Sequence, residues 1–212
     1  MNEKKLVAFD LDGTLNRTDL FGVPAHQKAL HELGITNITD EEIIATFGAR
    51  DVDYAPGLIG TSDPERVSAY NRRVAECELE FIQQKAGSFD GVPAMLQKLK
   101  ADGYLTAICS NASEAYIRMV LTALHILDHI DFIQPLVDRL EKDGTLRLLL
   151  ERVEPAAAVM VGDRIFDQLA AKANGLPFIG CLYGYKPDEV RNADIAVQTP
   201  GEINDAVKQL IG

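Results

Sequence analysis

The 212-residue sequence predicts an α/β fold, a parallel sheet covered by helices on both faces and interrupted by a helical insert. Three observations carry this. Short apolar runs alternate with helical patterns along most of the chain. The runs are too short and too evenly apolar for one-sided strands, so they read as strands buried on both faces. From about Val23 to Ala86 the alternation stops and only helical patterns remain.

The first run is Lys5 to Asp10 (KLVAFD), ended by the polar Asp12, Gly13 and Thr14. In the insert, Thr39 with Glu42 makes a capping box ahead of Ile43, Ile44 and Phe47. Ser62 with Glu65 reads as a second box, with Pro64 at the first helical position. The helix that follows extends to about Lys85, with Val67, Tyr70, Val74, Leu79 and Phe81 among its apolar positions. A helix over Val92 to Ala101 stops near Gly103 and feeds the run Tyr104 to Cys109. Further runs are Ala157 to Val161 and Pro177 to Cys181, with shorter ones at Asp131 to Ile133 and Asp194 to Val197. The expected division is a core of residues 1–16 and 88–212 and an inserted helical domain of residues 17–87.

Composition narrows the function classes. A net charge of −11 repels nucleic-acid phosphates, so no nucleic-acid partner is expected. No apolar run approaches the roughly 20 residues a membrane helix needs, so no membrane partner is expected either. Met1 to Lys5 leads straight into a strand rather than a signal peptide, and the three cysteines are too scattered for a disulfide framework. A cytoplasmic location and a monomer or homodimer are the expectation.

The informative residues stand at the strand ends. Ligands of open parallel sheets bind beyond the carboxyl ends of the strands. There the first strand delivers Asp10 and Asp12, the second Ser110 and Asn111, and the third Asp163 and Asp167. Gathering four carboxylates is costly unless a cation offsets their repulsion, and magnesium suits such oxygen ligands beside phosphate. A calcium loop is excluded, because Leu15 and Phe21 stand where its glycine and glutamate are required. Asp163 taken alone also reads as a helix N-cap.

Four segments together resemble the haloacid dehalogenase superfamily, and within it the phosphoglycolate phosphatase-like branch with a helical cap. They are FDLDGTL (Phe9 to Leu15), CSNAS (Cys109 to Ser113), a lysine taken as Lys142 in EKDGTLRLLLE, and VMVGDRIFD (Val159 to Asp167). Lys142 lies 21 residues before Asp163, and Arg147 is the alternative. The resemblance implies a Rossmann-like core and a magnesium-dependent phosphatase acting on a small phosphorylated molecule. It implies that Asp10 attacks phosphorus and forms an aspartyl phosphate, while Asp12 protonates the leaving oxygen. It further implies a magnesium site of Asp10, the Asp12 carbonyl, Asp163 and, through water, Asp167. Ser110, Lys142 and backbone N–H groups after Asp10 would hold the phosphate, with Asn111 in support.

In such relatives the insert closes over the site, with hinges expected at Asn16 to Val23 and Lys85 to Gly91. The segment Phe47-Gly48-Ala49-Arg50 resembles their substrate-contacting loop, which makes Arg50 a candidate for an anionic part of the substrate. The four histidines (His26, His31, His125, His129) lack metal-ligand spacing with the carboxylates and read as structural or solvated.

The substrate expectation is phosphoglycolate-like, with sugar phosphates, nucleoside monophosphates and pyrophosphate as alternatives. A mutase of the β-phosphoglucomutase kind would carry a cap histidine near Gly22, which is absent. A dehalogenase would lack Asp12 and a phosphonatase would replace it. A binding domain without catalysis would not fill every catalytic position.

Overall fold

A computed structural model describes residues 4–212, so the first three residues of the Met1 to Lys5 segment lie outside the described residues. Six strands form one parallel sheet in the order β3-β2-β1-β4-β5-β6. They are β1 (Lys5–Phe9), β2 (Leu105–Cys109), β3 (Phe132–Gln134), β4 (Ala157–Gly162), β5 (Phe178–Cys181) and β6 (Ile195–Val197). All six runs seen in the sequence are strands, with ends shifted by one residue or so. At the starts of β3 and β6 an aspartate stays outside the strand and uses its carboxylate as an acceptor. Asp131 accepts from Thr106 N–H and Asp194 from Phe178 N–H.

Side chains alternate across the sheet with the period of two that strands impose. Val7, Phe9, Val159 and Val161 face a core built with α5 (Val92–Ala101), α6 (Glu114–Ala123) and the C-terminal helix (Ile203–Ile211). Leu6, Ala8, Ala158 and Met160 face the other core, built with α7 (Lys142–Val153) and α8 (Ile165–Ala173). Burial on both faces is why these strands read as continuous apolar runs rather than as alternating ones. β1 and β4 are neighbours at the point where the strand order reverses, the place where such sheets bind ligands.

Between β1 and β2 the chain forms α1 (Asp19–Glu32), α2 (Asp40–Ile44), α3 (Asp51–Ile59) and α4 (Pro64–Lys85). These have a hydrophobic cluster of their own, including Leu30, Ile43, Leu58, Tyr70 and Val74. The segments entering and leaving this unit run side by side, with Arg17 N–H donating to Gly87 O and Phe89 N–H to Leu15 O.

The Thr39–Glu42 capping box is present. The second expected box is not. Asp63, not Ser62, caps α4 and accepts from Glu65 and Arg66 N–H, both at 3.0 Å. Pro64 opens the helix, so the residue directly before it holds the cap position. Leu79 also departs from expectation and is 52% exposed. The buried stripe of α4 runs through Tyr70, Val74, Cys77 and Ile82, and the helical period carries residue 79 off it.

Candidate active site

Asp10 follows β1 and Asp163 follows β4. With Asp167, at the start of α8, they form a buried group whose carboxylate oxygens lie within 4.8 Å of one another. The close approach depends on glycine. Gly13 has φ +87°, and a Cβ there would collide with the Asp163 carboxylate; one on Gly162 would collide with that of Asp167.

Each carboxylate is oriented. Asp163 Oδ2 accepts from Tyr185 N–H at 2.8 Å and its Oδ1 from Thr14 Oγ1 at 3.3 Å. Asp167 Oδ2 accepts from Arg164 N–H at 3.0 Å. The Asp163 carboxyl is not a helix cap, since Arg164 occupies that position. Lys142 Nζ sits 2.5 Å from both Asp10 Oδ1 and Asp167 Oδ1. Burial opposes a charged Lys142, but Asp10 and Asp167 outweigh it and raise the ammonium above its ordinary range. Arg147, the alternative, is exposed five positions along α7. Among the described residues, Asp10 Oδ2 has no hydrogen-bond partner. Burial pushes the Asp10 carboxyl up to about 7, Lys142 opposes the shift, and Asp167 and Asp12 add to it. Burial, and then Asp10 and Asp167, push Asp163 well up as well. Three buried carboxylates with one ammonium are thus short of positive charge.

A divalent cation fits this set. Two oxygens on opposite sides of magnesium lie about 4.2 Å apart, close to the spread of the three carboxylates. All donors are oxygens, and Asp10 Oδ2 is left for a ligand.

Asp12 turns its carboxylate away from the cluster. Its Oδ1 accepts from Thr18 Oγ1 at 2.6 Å, and from Asn16 Nδ2 and Tyr116 Oη at 2.9 Å each. Burial and the Asp12 charge raise the Tyr116 phenol, which stays a proton donor. Ser110 is buried beside the site, its Oγ accepting from Ala112 N–H at 3.2 Å. Neither Leu11 nor Asp12 N–H donates to a protein group among the described residues. Asn111 Nδ2 donates to Gly48 O at 3.0 Å, and Arg164 donates to Phe47 O while pairing with Glu189 at 3.0 Å. Two core side chains therefore grip successive carbonyls of the insert's loop. Tyr185 makes a further link, exchanging hydrogen bonds with Asp19 at the start of α1 (2.8 and 2.9 Å).

Asp10, Asp12, Ser110 and Asn111 open onto one chamber of about 490 Å³, roofed by α1, α4 and the loop from Phe47 to Arg50. Arg50 borders it but is engaged by Asp53 (2.8 Å) and Glu141 (3.0 Å). A second hollow of about 630 Å³ touches Lys142 from the side of α8 and lacks Asp10, Asp12 and Ser110. Sequence reasoning missed Tyr116, Thr18, Arg164 and Tyr185. His26, read as structural or solvated, is buried, bonds Tyr70 and also borders the chamber.

The family model of haloacid dehalogenase-like hydrolases matches residues 7–181, which span Asp10, Asp12, Ser110, Lys142, Asp163 and Asp167. The chain belongs to that family. A phosphoglycolate phosphatase of Vibrio vulnificus is 29% identical, covering 99% of this chain and 95% of its own. One of Rhodospirillum rubrum is 30% identical, covering 88% and 83%. A haloacid dehalogenase-like hydrolase structure from Streptococcus pneumoniae superposes with a TM-score of 0.86 at 19% identity, over 97% of this chain and 99% of that one. That likeness concerns the fold. Within the family the chain is a phosphatase. Among the described residues, no helix is long and apolar enough to cross a membrane.

Proposed function

We propose that the chain is a magnesium-dependent phosphatase that hydrolyses a small-molecule phosphate monoester through an aspartyl phosphate on Asp10. The observation that carries this reading is the buried group of Asp10, Asp163, Asp167 and Lys142 at the carboxyl ends of adjacent strands. Magnesium, held by Asp10, Asp163, Asp167 and the Asp12 carbonyl, would neutralise charge on the phosphoryl group and on the attacking carboxylate.

The chain's own residues supply the rest. Asp10 attacks phosphorus in line and becomes phosphorylated. Lys142 orients Asp10 and donates to the phosphoryl oxygens, together with Ser110 and the N–H groups of Leu11 and Asp12. Asp12 gives its proton to the leaving oxygen, then takes one from the water that attacks the aspartyl phosphate. Tyr116, Thr18 and Asn16 fix one Asp12 oxygen, leaving the other for proton transfer. Residues 17–87 act as a cap over a core of residues 1–16 and 88–212. Asn111 and Arg164 hold the cap loop down and exclude water during transfer. Arg50 ties that loop to Glu141, one residue before Lys142; binding substrate would require it to release its partners.

The relatives named above act, by name, on phosphoglycolate, and this molecule is one candidate substrate. The test is release of p-nitrophenol from p-nitrophenyl phosphate. Turnover is expected with magnesium and is lost in Asp10→Asn. Undiminished turnover in excess EDTA contradicts the reading.

A further inference from the structure

The chamber over Asp10 has a polar inner wall that the chemical step does not use. His26, on α1, is 2% exposed, and its Nδ1 lies 2.6 Å from Tyr70 Oη. The rings of Phe47, Tyr54 and Tyr70 box it in, with centroids 6.1, 5.8 and 5.8 Å away. Its Nε2 has no hydrogen-bond partner among the described residues, yet the side chain borders the chamber beside Tyr54, Asn71 and Glu78. An imidazole nitrogen that borders the chamber can complete its hydrogen bonding with a ligand held there. Burial also depresses the imidazole to about 4, so at neutral pH it is an uncharged hydrogen-bonding group.

We infer that His26 Nε2 hydrogen-bonds a hydroxyl of the substrate's leaving group, and that this group is an uncharged polyol such as a sugar rather than a short carboxylic acid. The inference rests on the phosphatase reading above. Three features favour a polyol. A hydroxyl both donates and accepts, so it satisfies Nε2 in either tautomer, whereas a carboxylate satisfies one. Of the two guanidiniums bordering the chamber, Arg50 is already paired with two carboxylates, and Arg139 is solvent-exposed. The volume of about 490 Å³ falls within the range that holds drug-sized ligands, about 300–1,000 Å³, well beyond a two-carbon acid.

The test compares kcat/KM on hexose and pentose monophosphates, phosphoglycolate and p-nitrophenyl phosphate, for wild type and three variants whose melting temperatures are also measured. His26→Gln keeps a polar group near the Nε2 position, His26→Asn keeps one near Nδ1, and His26→Phe keeps neither. Wild type is expected to favour a sugar monophosphate over phosphoglycolate by about tenfold or more. The Asn and Phe variants should lose about 10- to 100-fold on that sugar phosphate and severalfold less on p-nitrophenyl phosphate, while Gln recovers part of the selectivity. A structural role alone would make Asn the better replacement, because it retains the bond to Tyr70. A preference for phosphoglycolate, equal losses on every substrate, or better selectivity in Asn than in Gln overturns the inference while leaving phosphatase activity standing. Absence of magnesium-supported turnover of p-nitrophenyl phosphate overturns the phosphatase reading and this inference with it.

Discussion

Lys142 Nζ stands 2.5 Å from Asp10 Oδ1 and at the same distance from Asp167 Oδ1, so one ammonium joins the proposed nucleophile to a second carboxylate of the cluster. Removing it leaves three buried carboxylates with no ion-pair partner among the described residues. Lys142→Met is expected to lower kcat by about 10²–10³ in steady-state assays. It should also destabilise the magnesium-free protein by about 3–5 kcal/mol in urea unfolding. Lys142→Arg should restore little activity, because a planar guanidinium cannot replace a point charge shared by two carboxylates. Near-normal kcat in the Met variant would remove Lys142 from the mechanism.

Tyr116 Oη donates to Asp12 Oδ1 across 104 residues of sequence, from α6 to the loop after β1. Tyr116→Phe deletes one of three donors and loosens the orientation of the acid. The expected loss in kcat is about tenfold for alkyl phosphates, whose leaving oxygen needs a proton, and smaller for p-nitrophenyl phosphate, whose does not. Equal losses on both would show that Tyr116 serves packing alone.

The carboxylate cluster makes a prediction that needs no turnover. Magnesium at about 100 times its Kd should add about 2.7 kcal/mol of stability. In a domain of this size that raises the melting temperature by roughly 5–10 °C. Asp163→Asn should abolish the shift, as should Asp10→Asn in large part. A shift unchanged in Asp163→Asn would place the ion elsewhere.

His26 gives the stability a pH signature. Its imidazole is held to about 4 by burial, against 6.5 when unfolded. Above pH 6.5 both states are neutral and the difference has no effect. As pH falls from 6.5 toward 4, the unfolded chain takes up a proton that the folded one refuses, and stability is lost. The loss reaches about 3 kcal/mol near pH 4. His26→Gln cannot titrate, so urea midpoints of wild type and variant should diverge over this window and run parallel above pH 7. Parallel curves throughout would mean that His26 charges freely in the fold.

What the sequence made legible follows from local chemistry. Polar residues directly after apolar runs have nowhere to go but the carboxyl edge of the sheet, which is why Asp10, Asp12, Ser110, Asp163 and Asp167 could be read off as neighbours. Lys142 and Arg147 were harder to separate, because the choice depends on the rotation of α7. Five residues is about 140° past a full turn, and only position 142 meets Asp10. Tyr116, Arg164 and Tyr185 were not legible, since each acts on a residue of another element whose distance is set by packing. Asp163 looked like a cap because Asp before a helix so often is one; its actual partners, Thr14 and Tyr185, lie far away in sequence. His26 was read as structural or solvated, and its burial and bond to Tyr70 agree; that it also borders a chamber could not be seen from α1 alone.

The measurement that bears most directly on the chemistry is capture of the covalent intermediate. Wild-type protein mixed with magnesium and p-nitrophenyl phosphate is quenched in acid within the first turnover, digested, and its peptides are weighed. A phosphoryl group is expected on the peptide carrying Asp10, sensitive to hydroxylamine as an acyl phosphate should be, and absent from Asp10→Asn. Turnover at full rate with no phosphorylated Asp10 peptide, or with the phosphoryl group on another residue, would contradict Asp10 as the nucleophile.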